Sequence, residues 1–201
     1  MTRDRDLGNC SSLDIPEFEK KIKADFNKIH RKLKRIEKKY NPNDDNLHFD
    51  CLQKADVALF RELLSLSRAG LKKVERYDDF FSSASLYADG MFWYDLFLMI
   101  SAASRGIMDK EAKSEIPQDL IYDLTDILIQ IIKYSAVHPG DITKRNHEAL
   151  GNTLLAFYSK DLVKFIRKKK NAIDSKAAKD FIIWTLKRVE EVKKEIGGDH
   201  G

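Results

Sequence analysis

The sequence predicts an all-α protein, a single-domain bundle of about seven helices. Three observations carry that expectation. Apolar residues recur at three- and four-residue intervals over long stretches. Turn-formers are few, 4 prolines and 9 glycines in 201 residues, and most lie between the periodic stretches. No stretch reads as a strand, no short repeat is present, and no linker is long enough to split the chain.

Residues 1–14 are polar and charged and read as a flexible N-terminus, ahead of a helical domain over 15–198. Helix one begins near Ile15-Pro16-Glu17. Phe18, Ile22, Phe26, Ile29, Leu33, Ile36 and Tyr40 form a narrow stripe close to a heptad seam, and the remaining face is basic. Asn41 to Asn46 is a turn. Helix two is expected from about Asp50 to Arg76, with Leu52, Ala55, Leu59, Leu63, Leu66 and Val74 inside and Gly70 tolerated. Tyr77 to Ser83 reads as a loop.

Helix three, about Ala84 to Arg105, is apolar nearly all round, which places it centrally or in an interface. Helix four lies within Glu115 to Asp141. Leu120, Ile121, Leu124, Ile127, Leu128, Ile131 and Ile132 give it a broad buried face, and Asp119, Asp123 and Asp126 line one polar edge. Ser114 is its candidate cap, Pro117 suits its first turn, and His138-Pro139-Gly140 stops it. Helix five spans about Ile142 to Tyr158 and helix six about Lys160 to Lys169. Helix seven follows the Asp174-Ser175 cap, buries Ala178, Phe181, Ile182, Leu186, Val189, Val192 and Ile196, and ends at Gly197-Gly198.

Two cysteines, Cys10 and Cys51, make no disulfide framework and suit a reducing, cytoplasmic compartment. The apolar run from Phe92 to Ile100 is too short to span a bilayer and is interrupted by Asp95, so no membrane is expected. The net charge is +4, but residues 17–40 hold ten Lys/Arg against four acids. That segment is therefore +6 and the rest of the chain −2. Such asymmetry points to a polyanionic partner.

Few motifs carry chemistry. There is no glycine-rich phosphate loop, no CxxC pair and no HExxH. The five histidines share no metal-ligand spacing and read as surface or turn residues. The basic face of helix one, with Lys28, Arg31, Lys32 and Arg35 foremost, is either a solvated face or a phosphate-contacting one. The cluster Arg167 to Lys170 has the same two readings. The helix-four aspartates are either solvated or part of a Mg²⁺ site that needs carboxylates from another helix.

Asp123-Leu124-Thr125, followed by Ser135-Ala136-Val137-His138-Pro139-Gly140-Asp141-Ile142, resembles the translin family. Its members carry a D-L-T element and then a serine-x-valine-x-x-glycine-aspartate turn. Lys187 to Val192 is similar to the family's last helix. The resemblance covers about Phe18 to Gly198 and is strongest after Asp119. It implies a seven-helix fold and a closed, octameric homo- or hetero-oligomer with another translin-family subunit. It also implies binding of RNA or single-stranded DNA, with no cofactor required for binding.

The translin-associated factor X subunit is a metal-dependent ribonuclease. Its carboxylates are two helix-three glutamates, in a Q-E-Y-V-E pattern, and the aspartate of D-L-T. Asp123 matches that aspartate, but Trp93 and Leu96 occupy the glutamate positions. Asp89, one turn before Trp93, is the substitute carboxylate, so the catalytic and metal candidates are Asp123 and Asp89, with Mg²⁺ if the protein is a nuclease. The expected function is an RNA- or single-stranded-DNA-binding subunit. A Mg²⁺-dependent endoribonuclease with a rearranged carboxylate site is the alternative, and a helical adaptor without nucleic acid is the third reading.

Overall fold

Seven helices and no strand make up the described part of the chain, as the periodicity predicts. The computed structural model describes residues 15–42, 52–81, 90–109, 115–135 and 141–198. The helices are α1 (Ile15–Tyr40), α2 (Val57–Phe81), α3 (Gly90–Met108), α4 (Gln118–Ser135), α5 (Asp141–Ala156), α6 (Lys160–Asn171) and α7 (Lys176–Gly198). One contiguous core draws buried side chains from all seven. Among the described residues no helix is long and apolar enough to cross a membrane.

The expected stripes are the buried ones. On α1, Ile22, Phe26, Ile29 and Leu33 are buried, and on α4 all seven apolar positions of the predicted face are. Caps follow side-chain chemistry. Ser159 Oγ accepts the Leu162 N–H at 3.0 Å to open α6, and Ser175 Oγ accepts the Ala178 N–H at 3.3 Å to open α7. The expected Ser114 cap and the His138-Pro139-Gly140 stop lie outside the described residues.

Helix two departs from expectation at both ends. It begins at Val57, not near Asp50, because the Asp56 carboxylate accepts the Leu59 N–H at 2.8 Å and caps it there. Leu52 and Ala55 are still buried, but from a turn ahead of the helix. The Leu52 N–H donates to the Ala102 carbonyl of α3 at 3.0 Å. That docking needs Gly106, where an added Cβ would sit 2.1 Å from the Leu52 carbonyl oxygen. At the other end, the segment expected to loop from Tyr77 stays helical through Phe81.

Gly70 has a similar role inside α2. A Cβ there would lie 2.7 Å from the Trp93 ring and 2.8 Å from the Phe92 ring, so glycine lets α3's aromatic pair press onto α2. The propensity cost of a mid-helix glycine is thereby offset by aromatic packing.

α3 packs against α1, α2 and α5. Against α5 it presents small residues, and hydroxyls pair across the seam: Ser104 Oγ lies 3.1 Å from Thr153 Oγ1, and Asn152 Nδ2 donates to Ser101 Oγ at 2.6 Å. Phe92, Trp93, Leu96, Phe97, Met99 and Ile100 are all fully buried. Most of the apolar surface of α3 is thus covered within one chain, while Met91 near its start and Met108 at its end are exposed. The large apolar side chains left exposed include Ile183, Trp184 and Ile196 of α7. Ile196, expected inside, is 57% exposed in the last turns of α7, and Phe181 is only partly buried.

Candidate nucleic-acid interface

The narrow apolar stripe of α1 leaves most of that helix facing water, and lysines and arginines fill the outward face. Lys28, Arg31, Lys32 and Arg35 sit at i, i+3, i+4 and i+7, so they form one line, and all four are exposed. Lys20, Lys21 and Lys38 extend it. From Lys20 to Lys38 the face is about 27 Å long at 1.5 Å per residue. Among the described residues, none of the four central cations has an ion-pair partner, while two of the segment's four acids are drawn aside. Asp25 pairs with Lys73 of α2 at 2.8 Å, and Glu37 pairs with Lys34 at 2.9 Å. The outer line therefore keeps its full positive charge.

The inward flank of α1 is held by a buried charge. Asp95 of α3 is fully buried. Its Oδ2 accepts from His30 Nε2 at 2.8 Å and lies 2.9 Å from Lys34 Nζ. Its Oδ1 has no partner. Partial burial opposes the Lys34 ammonium, but hydrogen bonds to Asp95 and Glu37 outweigh it and raise Lys34 above the ordinary lysine value. A carboxylate in an apolar helix must be paired to be tolerated. His30 and Lys34, one turn apart on the neighbouring helix, supply that pairing. His30 is thus not the surface histidine expected.

Of the two candidate metal residues, the structure describes only Asp123. Asp123 is exposed and its carboxylate is taken by Arg68 of α2. Asp126 accepts from Lys169 at 2.9 Å and from Gln130 at 3.1 Å. Asp119 is exposed at the start of α4. Asp89 lies outside the described residues. Trp93 and Leu96, at the positions of the family's glutamates, are buried in the core, with Trp93 stacked on Phe97. Among the described residues no group of three or more His, Cys, Asp or Glu could hold a metal. Without Asp89, the described residues alone do not make up a Mg²⁺ site of the ribonuclease kind.

Residue types alone did not single out two further features. Asp95 was legible only as a break in an apolar run, although a lone charge there implies a partner. His147 of α5 packs on Phe181 and Trp184 of α7, and burial pushes its imidazole down to about 4. Its Nε2 is buried without a hydrogen bond. An unfolded imidazole takes up a proton as the pH falls below about 6.5, and the folded one does so only near 4. Stability should therefore drop across that window, by about 1–2 kcal/mol once solvent contact of the half-buried ring is discounted. Urea melts at about pH 7 and pH 4.5 measure it, with His147→Leu expected to lack this increment. Identical pH dependence in both proteins would rule it out.

No family model matches the chain, and neither does any curated protein or solved structure.

Proposed function

We propose that the protein binds RNA or single-stranded DNA through the outer face of α1, as a helical subunit of translin type. The observation that carries this is the line of exposed cations Lys28, Arg31, Lys32 and Arg35, unpaired among the described residues, with the nearby acids Asp25 and Glu37 paired to other lysines. A strand of phosphates laid along such a face releases its condensed counterions, and that release drives binding without reference to base sequence. The seven-helix order supports the translin-type part of the reading. Assembly with further subunits rests on that resemblance, since most of α3 is covered within one chain. Cleavage of the bound strand is not part of this reading, because Asp123 pairs with Arg68 and, among the described residues, no group of three or more His, Cys, Asp or Glu could hold a metal.

The test is a Lys28→Ala, Arg31→Ala, Lys32→Ala, Arg35→Ala variant in salt-dependent RNA titrations. Affinity at low salt should fall about 100-fold for every sequence tried, and the logarithmic salt slope should flatten by roughly 0.7 for each phosphate that is no longer neutralised. All four positions are exposed, so the fold should survive. Unchanged affinity and slope would place binding on another surface or nowhere.

A further inference from the structure

We propose that Trp184 is a stacking platform for one base of a single strand, with the flanking phosphates held by cations on either side of α7. The proposal rests on the nucleic-acid reading above and adds a second contact that only an unpaired strand can make.

The chain has two tryptophans with opposite placements. Trp93 is fully buried, whereas Trp184 is 58% exposed on the outer face of α7. Trp184 is not a loose side chain. Its ring stacks on His147 of α5 at 5.9 Å and 28°, and His147 packs in turn on Phe181. A braced indole with more than half its surface open is a rigid aromatic platform.

The surroundings decide what it fits. Trp184 borders a groove of about 330 Å³ between α5 and α7, with Leu155, Val189 and Val192 as an apolar floor and Lys144, Arg188 and one carboxylate, Glu148, in its lining. On the other side of α7 a second groove, of about 500 Å³ against α6, is lined by Arg167, Lys170 and Lys187 with one carboxylate, Glu190. Lys187 and Arg188 follow Trp184 by three and four residues, so both lie about one turn along the same face. Cations thus stand within one turn of the indole and across both grooves; Arg167 pairs with Glu190 at 3.4 Å, and Lys187 and Arg188 pair with Glu191 at 4.0 and 3.3 Å, exposed pairs weak enough for a phosphate to displace.

A docking protein helix would want apolar neighbours at three- and four-residue spacing along α7. Instead, the exposed positions around Ile183 and Trp184 are Asp180, Lys187 and Arg188. Two adjacent apolar side chains among cations match a base and its phosphates better than an amphipathic helix. The base must be unpaired, because a base inside a duplex has both faces covered by its neighbours. Stacking on an exposed aromatic is also tolerant of base identity.

The experiment is a titration of the full chain with an oligouridylate of about 12 nucleotides, followed by intrinsic fluorescence, beside an RNA duplex of equal length. Oligouridylate should quench the emission, and Trp184→Phe should lose the quenching while keeping near-normal affinity. Trp184→Ala should weaken oligouridylate binding by about tenfold and leave duplex affinity unchanged. The α1 quadruple variant should weaken both. Oligouridylate binding without quenching, and equal in Trp184→Ala, would overturn the platform and leave the α1 reading intact. Quenching that survives an α1 variant of normal affinity would uphold the platform and remove the α1 reading. No binding of either probe would overturn both. If Trp184→Ala lowers the mass in solution but not RNA affinity, Trp184 covers a protein surface and the platform is wrong.

Discussion

A double variant, His30→Leu with Lys34→Met, should lose about 3–5 kcal/mol of folding stability, measured as the shift in urea-unfolding free energy. Asp95 is fully buried on α3, and the His30 imidazole and the Lys34 ammonium are its side-chain partners among the described residues. Removing them leaves the carboxyl group in the core without either of these partners. Its Oδ1 is already without a partner, so the site has no spare donor to offer. Substituting Asp95→Leu as well should restore most of the loss, because an apolar side chain of similar volume needs no partner. The recovery separates loss of the ion pairs from mere repacking of α1. A double variant within about 1 kcal/mol of the unaltered protein would show that the clamp contributes little. The clamp also matters to binding. α1 carries the basic line on one side and His30 and Lys34 on the other, so the buried pairings hold the outer face in position.

Gly106→Ala should destabilise the fold by about 3 kcal/mol, the upper range for overpacking a close contact. The added Cβ would sit 2.1 Å from the Leu52 carbonyl oxygen and 2.6 Å from its carbon. Those are backbone atoms, which do not swing aside as a side-chain tip does. Leu52 would be pushed off α3, and its N–H would lose the Ala102 carbonyl at 3.0 Å. The gain of about 1 kcal/mol in helix propensity does not offset this. In a chain of this size, melting temperature should fall by roughly 6–12 °C. Gly151→Ala is the control, since its Cβ would meet only the Thr185 methyl at 4.0 Å. That change should be neutral or stabilising by up to about 1 kcal/mol. Equal melting temperatures for the two alanine variants would contradict the close approach at Gly106.

Much of the architecture is legible in local chemistry. The stripes of α1 and α4 follow from 3.6 residues per turn. A run of apolar residues at that period has one face to bury, whatever it meets. The starts of α6 and α7 follow from serines that satisfy helix N–H groups within their own turn. The exposure of Lys28, Arg31, Lys32 and Arg35 follows likewise, since they lie opposite the stripe. What periodicity cannot supply is the neighbour. His30 and Asp95 are 65 residues apart, and Arg68 and Asp123 are 55 apart. Which acid meets which base depends on how helices cross, not on their own patterns. The same holds for α3. Its all-round apolar character predicts burial but not which neighbours provide it, and most of that cover comes from α1, α2 and α5. Trp93 and Trp184 are identical in chemistry and opposite in fate: one fills the space Gly70 leaves on α2, and the other faces water because nothing described packs over that side of α7.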